Sequence, residues 1–389
     1  MCVLASPKTP FMRKIALIFG LMTLWACGAE AVDPEAASTP AFDVSKTTAQ
    51  LQDHCDADRF SGIVMVVDRD RTVYEYSCSG SAQTAAAINA DTVFKLFSTS
   101  KQMTATIILQ LVDEGQLSLD TPVDTFFEAS PPGWNAVTVG DLLVHASGIP
   151  DLTNGLLEQF ELGETDHAKA VQAAIKKAGP LAQTKGTGNW QYSNFGYEML
   201  ATIASDIIGA DFGEIVATRV FDRAGMTTAS VESIDPEATA LQAIDNPRLI
   251  QGYNGEPGAR TEALSYSFVQ QGAGAVHASG NDLAAYFRAL TDGRLLTEAA
   301  RATQRTQTMP LNDTMTVIPG WFVGDIHGLE MLSHSGGNNG YISWFGMVPD
   351  RDLAIIMLSN YGDAPTRAIR TDLMDELFKA DVSEDGVDQ

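Results

Sequence analysis

The stretch FKLFSTSKQMTATIILQLVDEGQLSLD, Phe94 to Asp120, carries the fold in its spacing. From Ser98 onward the apolar residues Met103, Ile107, Ile108, Leu111 and Val112 recur at three and four, which predicts an amphipathic helix to about Glu114, stopped by Gly115. Its opening, Ser98-Thr99-Ser100-Lys101, is the only S-x-x-K in the chain. Residues i and i+3 share a helix face, so the serine hydroxyl and the lysine amine can meet. Unpaired amides at a helix N-terminus favour a developing alkoxide. The same potential, with burial, lowers a lysine pKa, and a neutral lysine can accept a serine proton. The plainer reading is a serine N-cap followed by a solvated lysine.

On the N-terminal side, Phe60–Val67 and Thr72–Tyr76 are β-rich runs around Asp68-Arg69-Asp70-Arg71, a predicted hairpin. Far along the chain, Ile342–Val348 and Leu353–Ser359 read as strands around Pro349-Asp350-Arg351-Asp352. Helical stretches lie between, including Phe195–Ile208 and Asn281–Leu290. Strands at both ends with helices in the middle predict an α+β architecture. The terminal strands form one antiparallel sheet flanked by helices, with a mostly helical inserted region. At 389 residues the chain has room for two domains or for one large domain with an insertion.

Two further motifs can carry chemistry. Tyr192-Ser193-Asn194 is the only Y-x-N and sits just before a helix. A tyrosine beside a cationic lysine has a lowered pKa and can shuttle protons, and an asparagine offers a donor and an acceptor to a substrate amide. The alternative is a packed aromatic with Asn194 as a helix cap. His334-Ser335-Gly336-Gly337 precedes Asn338-Asn339-Gly340 and a strand. Glycines beside a strand permit close approach of another backbone or a substrate. His334 can then meet a substrate carbonyl or carboxylate, the alternative being a satisfied structural histidine. There is no G-x-S-x-G, no G-x-G-x-x-G and no G-x-x-x-x-G-K-[ST].

The first thirty residues differ from the rest. Met12-Arg13-Lys14 followed by the apolar run Ile15–Ala26 reads as a signal peptide, residues 1–31, because twelve apolar residues are too few for a membrane span. Two endings compete: an Ala29-Glu30-Ala31 cleavage site, or a lipobox at Leu24-Trp25-Ala26-Cys27 with a lipid on Cys27. Residues 32–50, rich in Ala, Thr, Pro and Ser, read as a linker, residues 51–380 as the folded domain, and 381–389 as an acidic tail. Cys55 and Cys78 are the cysteines left after the leader. In an exported chain they read as a disulfide, with two buried thiols as the alternative. The six histidines are scattered without zinc-ligand spacing, so no metal is expected. The formal charge of −24 repels phosphate, which argues against nucleic acid and anionic lipid as partners. A membrane enters only through the lipid anchor, and the oligomeric state stays open.

Taken together and in this order, the serine–lysine helix start, Y-x-N, and a basic residue followed by x-Gly resemble the class C β-lactamase and DD-peptidase group of active-site serine hydrolases. Phe94–Asp120 is similar to that family's nucleophile helix. Leu142-Leu143-Val144-His145-Ala146-Ser147-Gly148-Ile149-Pro150 is similar to its L-L-x-H-x-S-G-[IL]-P stretch, and Gly272–Leu283 and Ser333–Asn360 match its late segments. The likeness spans about 320 residues, Leu51 to Leu377. It implies the β-lactamase/transpeptidase-like fold, with the site between the sheet and an all-α region. It also implies Ser98 as nucleophile, Lys101 as proton acceptor, Tyr192 as proton shuttle and Asn194 as substrate-amide contact. His334, Ser335 and Gly336 would line the substrate, and the amides of Ser98 and Gly337 would form the oxyanion hole. His145 and Ser147 would belong to a structural loop. No cofactor is implied. The family's β-lactamases commonly carry Lys-Thr-Gly where this chain has His-Ser-Gly, and histidine is mostly neutral above roughly pH 6.5. The resemblance therefore implies an exported, periplasmic or extracellular hydrolase of a D-amino-acid peptide, peptidoglycan-derived substrates included, or of a small ester. A β-lactamase and a non-catalytic cell-envelope binding protein are the alternatives.

Overall fold

The computed structural model describes residues 42–82, 87–164, 166–181, 190–234, 243–244, 246, 248–263 and 270–378. The leader with Cys27, the greater part of the linker and the acidic tail lie outside the described residues. Helix α1 spans Ser45–Asp56, followed by the hairpin of β1, Gly62–Val67, and β2, Thr72–Cys78. A short strand β3, Val93–Lys95, leads into a 3-10 turn, Phe97–Ser100, and helix α2, Lys101–Asp113. The middle of the chain contributes helices α3, His167–Lys177, and α4, Asn194–Ile208, and strands β4, Ser230–Val231, and β5, Val276–Ser279. Helix α5, Gly280–Thr291, precedes six strands: β6, Met309–Pro310; β7, Thr316–Ile318; β8, Trp321–Ile326; β9, Leu329–Asn338; β10, Tyr341–Val348; and β11, Leu353–Ser359. Helix α6, Thr366–Phe378, follows.

The large sheet is antiparallel, in the order β6-β7-β8-β9-β10-β11-β1-β2. The N-terminal hairpin therefore docks onto the last strand, with Val64 opposite Met357. β1 and β11 are buried along their whole length, which is why both read as unbroken apolar runs. Alternate residues serve two cores. Ile63, Met65, Ala354, Ile356 and Leu358 face the helical region, while Val64, Val66, Ile355 and Met357 face α1 and α6. A second, small sheet, β3-β5-β4, ties the segment before Ser98 to the helical part.

Two expectations change. The linker ends before residue 50, because α1 starts at Ser45. Asp43 accepts the Ser45 amide (3.1 Å), and the residue at the cap position, Val44, has no side chain that can bond the helix. The Glu376 carboxylate on α6 accepts the amides of Lys46 (2.9 Å) and Thr47 (2.8 Å) and the Thr47 hydroxyl, while Asp372 holds Lys46 (2.6 Å) and Gln50 (2.7 Å). The partners lie some 330 residues away, so local composition could not show them. Helix α2 is not amphipathic in place. Every residue from Lys101 to Leu111 is buried, and several of its polar positions find buried partners. Thr104 donates to the Gly272 carbonyl (2.6 Å), Thr106 meets the Tyr286 hydroxyl (3.1 Å) and Gln110 donates to the Leu295 carbonyl (3.0 Å). Cys55 and Cys78 are joined in a disulfide, Cα–Cα 6.4 Å, which pins α1 to the end of β2.

Candidate active site

Ser98 lies in the 3-10 turn that opens into α2. Between Val93 and Leu111 it is the only residue that is not buried. The residue before it, Phe97, has φ +46°, a conformation that side chains with a Cβ seldom adopt, so the turn that presents Ser98 is backbone-strained. β9 runs beside this turn. A Cβ on Gly336 would lie 2.0 Å from the Leu96 carbonyl oxygen and 3.0 Å from the Ser98 nitrogen. Only glycine lets the strand approach the serine backbone this closely. Ser343, opposite Gly336 on β10, fastens the same segment by donating to the Leu96 carbonyl (2.6 Å).

Lys101 is completely buried. Its Nζ donates to Asn194 Oδ1 (2.7 Å) and to the Ala273 carbonyl (2.9 Å), and lies 3.2 Å from Ser98 Oγ. It also sits over the rings of Tyr192 and Tyr197, 4.9 and 5.5 Å from their centroids. Burial pushes its pKa down to about 7, against the opposing pull of the Glu198 and Asp151 carboxylates. The solvated lysine of the plainer reading is thereby excluded, and Ser98 makes no helix-capping bond with its side chain.

Tyr192 is hydrogen-bonded to Ser98 through its hydroxyl. Its pKa moves opposite to the expected direction: burial pushes it up to about 12, outweighing the Ser98 hydrogen bond. A lysine with a pKa near 7 is no longer a permanent cation, so it cannot hold a phenolate beside it. Asn194 is the first residue of α4. The cap is Ser193, whose hydroxyl accepts the Gly196 amide (3.0 Å). Since the Asn194 carbonyl oxygen is engaged by Lys101, the substrate contact expected of this residue falls to its amide NH2.

The third motif lies on β9, which pairs with β8 only as far as Ser333. Ser335 and Gly337 are exposed, whereas His334 and Gly336 face inward. Gly336, read as a substrate contact, instead packs on the Ser98 segment. His334 is buried between Phe322 and Tyr192, with ring centroids 5.1 and 6.4 Å away. Its Nδ1 is 2.7 Å from the Ser335 carbonyl, which can only accept, so Nδ1 carries the hydrogen and Nε2 the lone pair. Burial, and then Lys101, pushes its pKa down to about 3. His334 is therefore neutral, as a histidine mostly is above roughly pH 6.5, and offers no charge to a substrate carboxylate.

Beside His145, which the resemblance places in a structural loop, sequence reasoning missed several neighbours. His145, at φ +59°, stacks on Tyr192 (4.5 Å between centroids) and accepts the Ser193 amide on Nδ1 (3.2 Å), so this part of the L-L-x-H stretch holds the tyrosine turn. Burial keeps its pKa well below the usual histidine value. Trp190 and Phe322 extend the aromatic wall, 6.2 Å apart. Ala273 acts through its carbonyl and Glu198 through backbone amides, and no side-chain motif advertises either role.

A sheet packed on a helical region, with a buried lysine between a serine and a tyrosine at their junction, defines an active-site serine hydrolase of the β-lactamase/transpeptidase-like fold. The chain belongs to the beta-lactamase family, whose model matches residues 44–378. It is similar to penicillin-binding protein 4* of Bacillus subtilis, 25% identical over 317 residues, covering 78% of this chain and 68% of the relative. It is also similar to penicillin-binding protein 4 of Amycolatopsis lactamdurans, 28% identical over 314 residues, covering 76% of this chain and 78% of the relative. Among solved structures, the D-amino acid amidase of Ochrobactrum anthropi SV3 has the same fold, with TM-score 0.70 and 20% identity over 87% of this chain and 98% of that one.

Proposed function

We propose that the protein is an exported hydrolase that forms an acyl-enzyme on Ser98 from a D-amino-acid peptide or amide, or from a small ester. The observation that carries this reading is the environment of Lys101. A neutral amine has two hydrogens and one lone pair. Asn194 Oδ1 and the Ala273 carbonyl can only accept, so they take the two hydrogens and leave the lone pair to Ser98 Oγ at 3.2 Å. Ser98 then gives its proton to Lys101 as Oγ attacks the substrate carbonyl. The oxyanion forms against the amides of Ser98 and Gly337, each worth on the order of 3 kcal/mol of barrier. Tyr192 takes a proton from the lysine side as it delivers its own to the leaving nitrogen or oxygen. With a pKa near 12 it relays without standing as a free phenolate. Water then attacks the ester, and the same groups run the transfer in reverse.

Neutral His334 favours acyl donors without a carboxylate at that position, which counts for amides and esters over β-lactams. The similarity to a D-amino acid amidase and to penicillin-binding proteins supports the same class. Export is supported by the basic start and apolar run at residues 12–26, and by the Cys55–Cys78 disulfide, which suits an oxidising compartment. The test is a parallel hydrolysis screen of D-amino-acid amides, D-Ala-D-Ala peptides, p-nitrophenyl esters and nitrocefin. Turnover of the amides and esters well above the two carboxylate-bearing substrates, the D-Ala-D-Ala peptides and nitrocefin, supports the proposal, and nitrocefin as the best substrate overturns it.

A further inference from the structure

Glu198 is fully buried and has no part in the chemistry above. It lies one helical turn beyond Asn194 on α4, on the face that also carries Tyr197. Its Oε1 accepts the Ala273 amide (2.9 Å) and its Oε2 the Gly272 amide (3.2 Å). Oε2 also lies 2.7 Å from Nε2 of His167, the first residue of α3, itself almost buried. The carbonyls of the same two residues point the other way, Gly272 to Thr104 and Ala273 to Lys101 Nζ. A Cβ on Gly272 would lie 2.0 Å from the Tyr197 carbonyl oxygen, so this turn is pressed against α4 and cannot back away from it.

We propose that Glu198 is a positioning residue for Lys101: its carboxylate, braced by His167, clamps the Gly272 and Ala273 amides and so aims the Ala273 carbonyl at the lysine Nζ. This rests on the reading of Lys101 as the base. Without the clamp the turn loses two charge-assisted hydrogen bonds, and the carbonyl that fixes the amine's orientation drifts. The same carboxylate also raises the lysine's affinity for its proton, opposing burial. Among the described residues, the groups facing Lys101 are Glu198, Asn194 and Tyr197 from α4, Tyr192 from the turn before it, Ser98, Asp151, His145, and His334 from β9. Glu198 and Asp151 are the carboxylates among them, so removing one has a readable electrostatic consequence.

The experiment follows Lys101 directly by carbon NMR of protein labelled at lysine Cε, the resonance being assigned by its loss in Lys101→Met. The pH profile of p-nitrophenyl acetate hydrolysis is measured alongside. In the wild type, Cε should titrate near pH 7 and kcat/KM should rise through the same pH. A wild-type lysine titrating near 10 overturns the base assignment itself, whatever Glu198 does. Given the wild-type result, Glu198→Gln should move both titrations down by on the order of one pH unit and lower the plateau kcat/KM roughly tenfold or more. Glu198→Asp, which keeps the charge but is too short to hold both amides, should keep the titration near 7 and still lose plateau rate. A folded Glu198→Gln protein whose Lys101 titration stays where it was overturns the proposal. If that variant does not fold, Glu198→Asp at the full wild-type plateau overturns it instead.

Discussion

A lysine amine whose hydrogens are both taken by pure acceptors has one direction left for its lone pair, and in this protein that direction is Ser98. Ser98→Ala should abolish hydrolysis while leaving near-ultraviolet circular dichroism and thermal midpoint unchanged. Turnover retained in that folded variant would remove the nucleophile assignment. Lys101→Ala and Tyr192→Phe should each cost on the order of 10² or more in kcat, with the double variant little worse than the poorer single, because groups on one proton path lose non-additively. Multiplying losses would show two independent paths. Ser98, Lys101, Tyr192 and Asn194 were legible in the sequence because their spacing is local: a helix start and a turn before a helix. The direction of the tyrosine shift was not, since it follows from burial by groups brought in from other segments, His145 and His334 among them. Ala273 was invisible for another reason: it acts through a carbonyl, which every residue has, across 172 positions of chain.

At the scale of elements, the terminal strands were legible from their apolar runs, and the sheet joins them as the pattern implied, β1 against β11. The start of α1 was not legible, because its cap is the Glu376 side chain at the far end of the chain. Two elements carry predictions. The Cys55–Cys78 bond closes a short loop, so Cys55→Ser/Cys78→Ser should lose about 3 kcal/mol of stability, read as a lower urea midpoint. No change in midpoint would mean that the bond constrains nothing the fold does not already fix. Gly336→Ala forces a methyl against the backbone oxygen of Leu96, so β9 must lift from the Ser98 turn. A displacement of about 1 Å between nucleophile and oxyanion amides is expected to cost roughly 10² in kcat/KM. Wild-type activity in that variant would show that the strand has room to move.

The whole molecule bears the cost of hiding an amine. Burial lowers the Lys101 pKa from 10.5 to about 7, so between those values the unfolded chain binds more protons at this site than the folded one, and its contribution to stability rises with pH across that window. Below pH 7 both states are protonated and the penalty stands in full. Above 10.5 both are neutral and it is gone. Lys101→Met should therefore be more stable than the wild type at pH 6, with the advantage shrinking steadily toward pH 10 in urea titrations. An advantage that does not change with pH would contradict a depressed lysine. Large negative charge, −24 over the chain, sets the background on which such differences are read but cancels between variants. The central claim is a covalent one, and mass spectrometry reads it most directly. The protein is mixed with p-nitrophenyl acetate, quenched in acid within the burst and digested. One acetyl group should appear on the peptide carrying Ser98 and vanish in Ser98→Ala, while an acetyl group elsewhere that survives Ser98→Ala, with hydrolysis intact, would contradict the account.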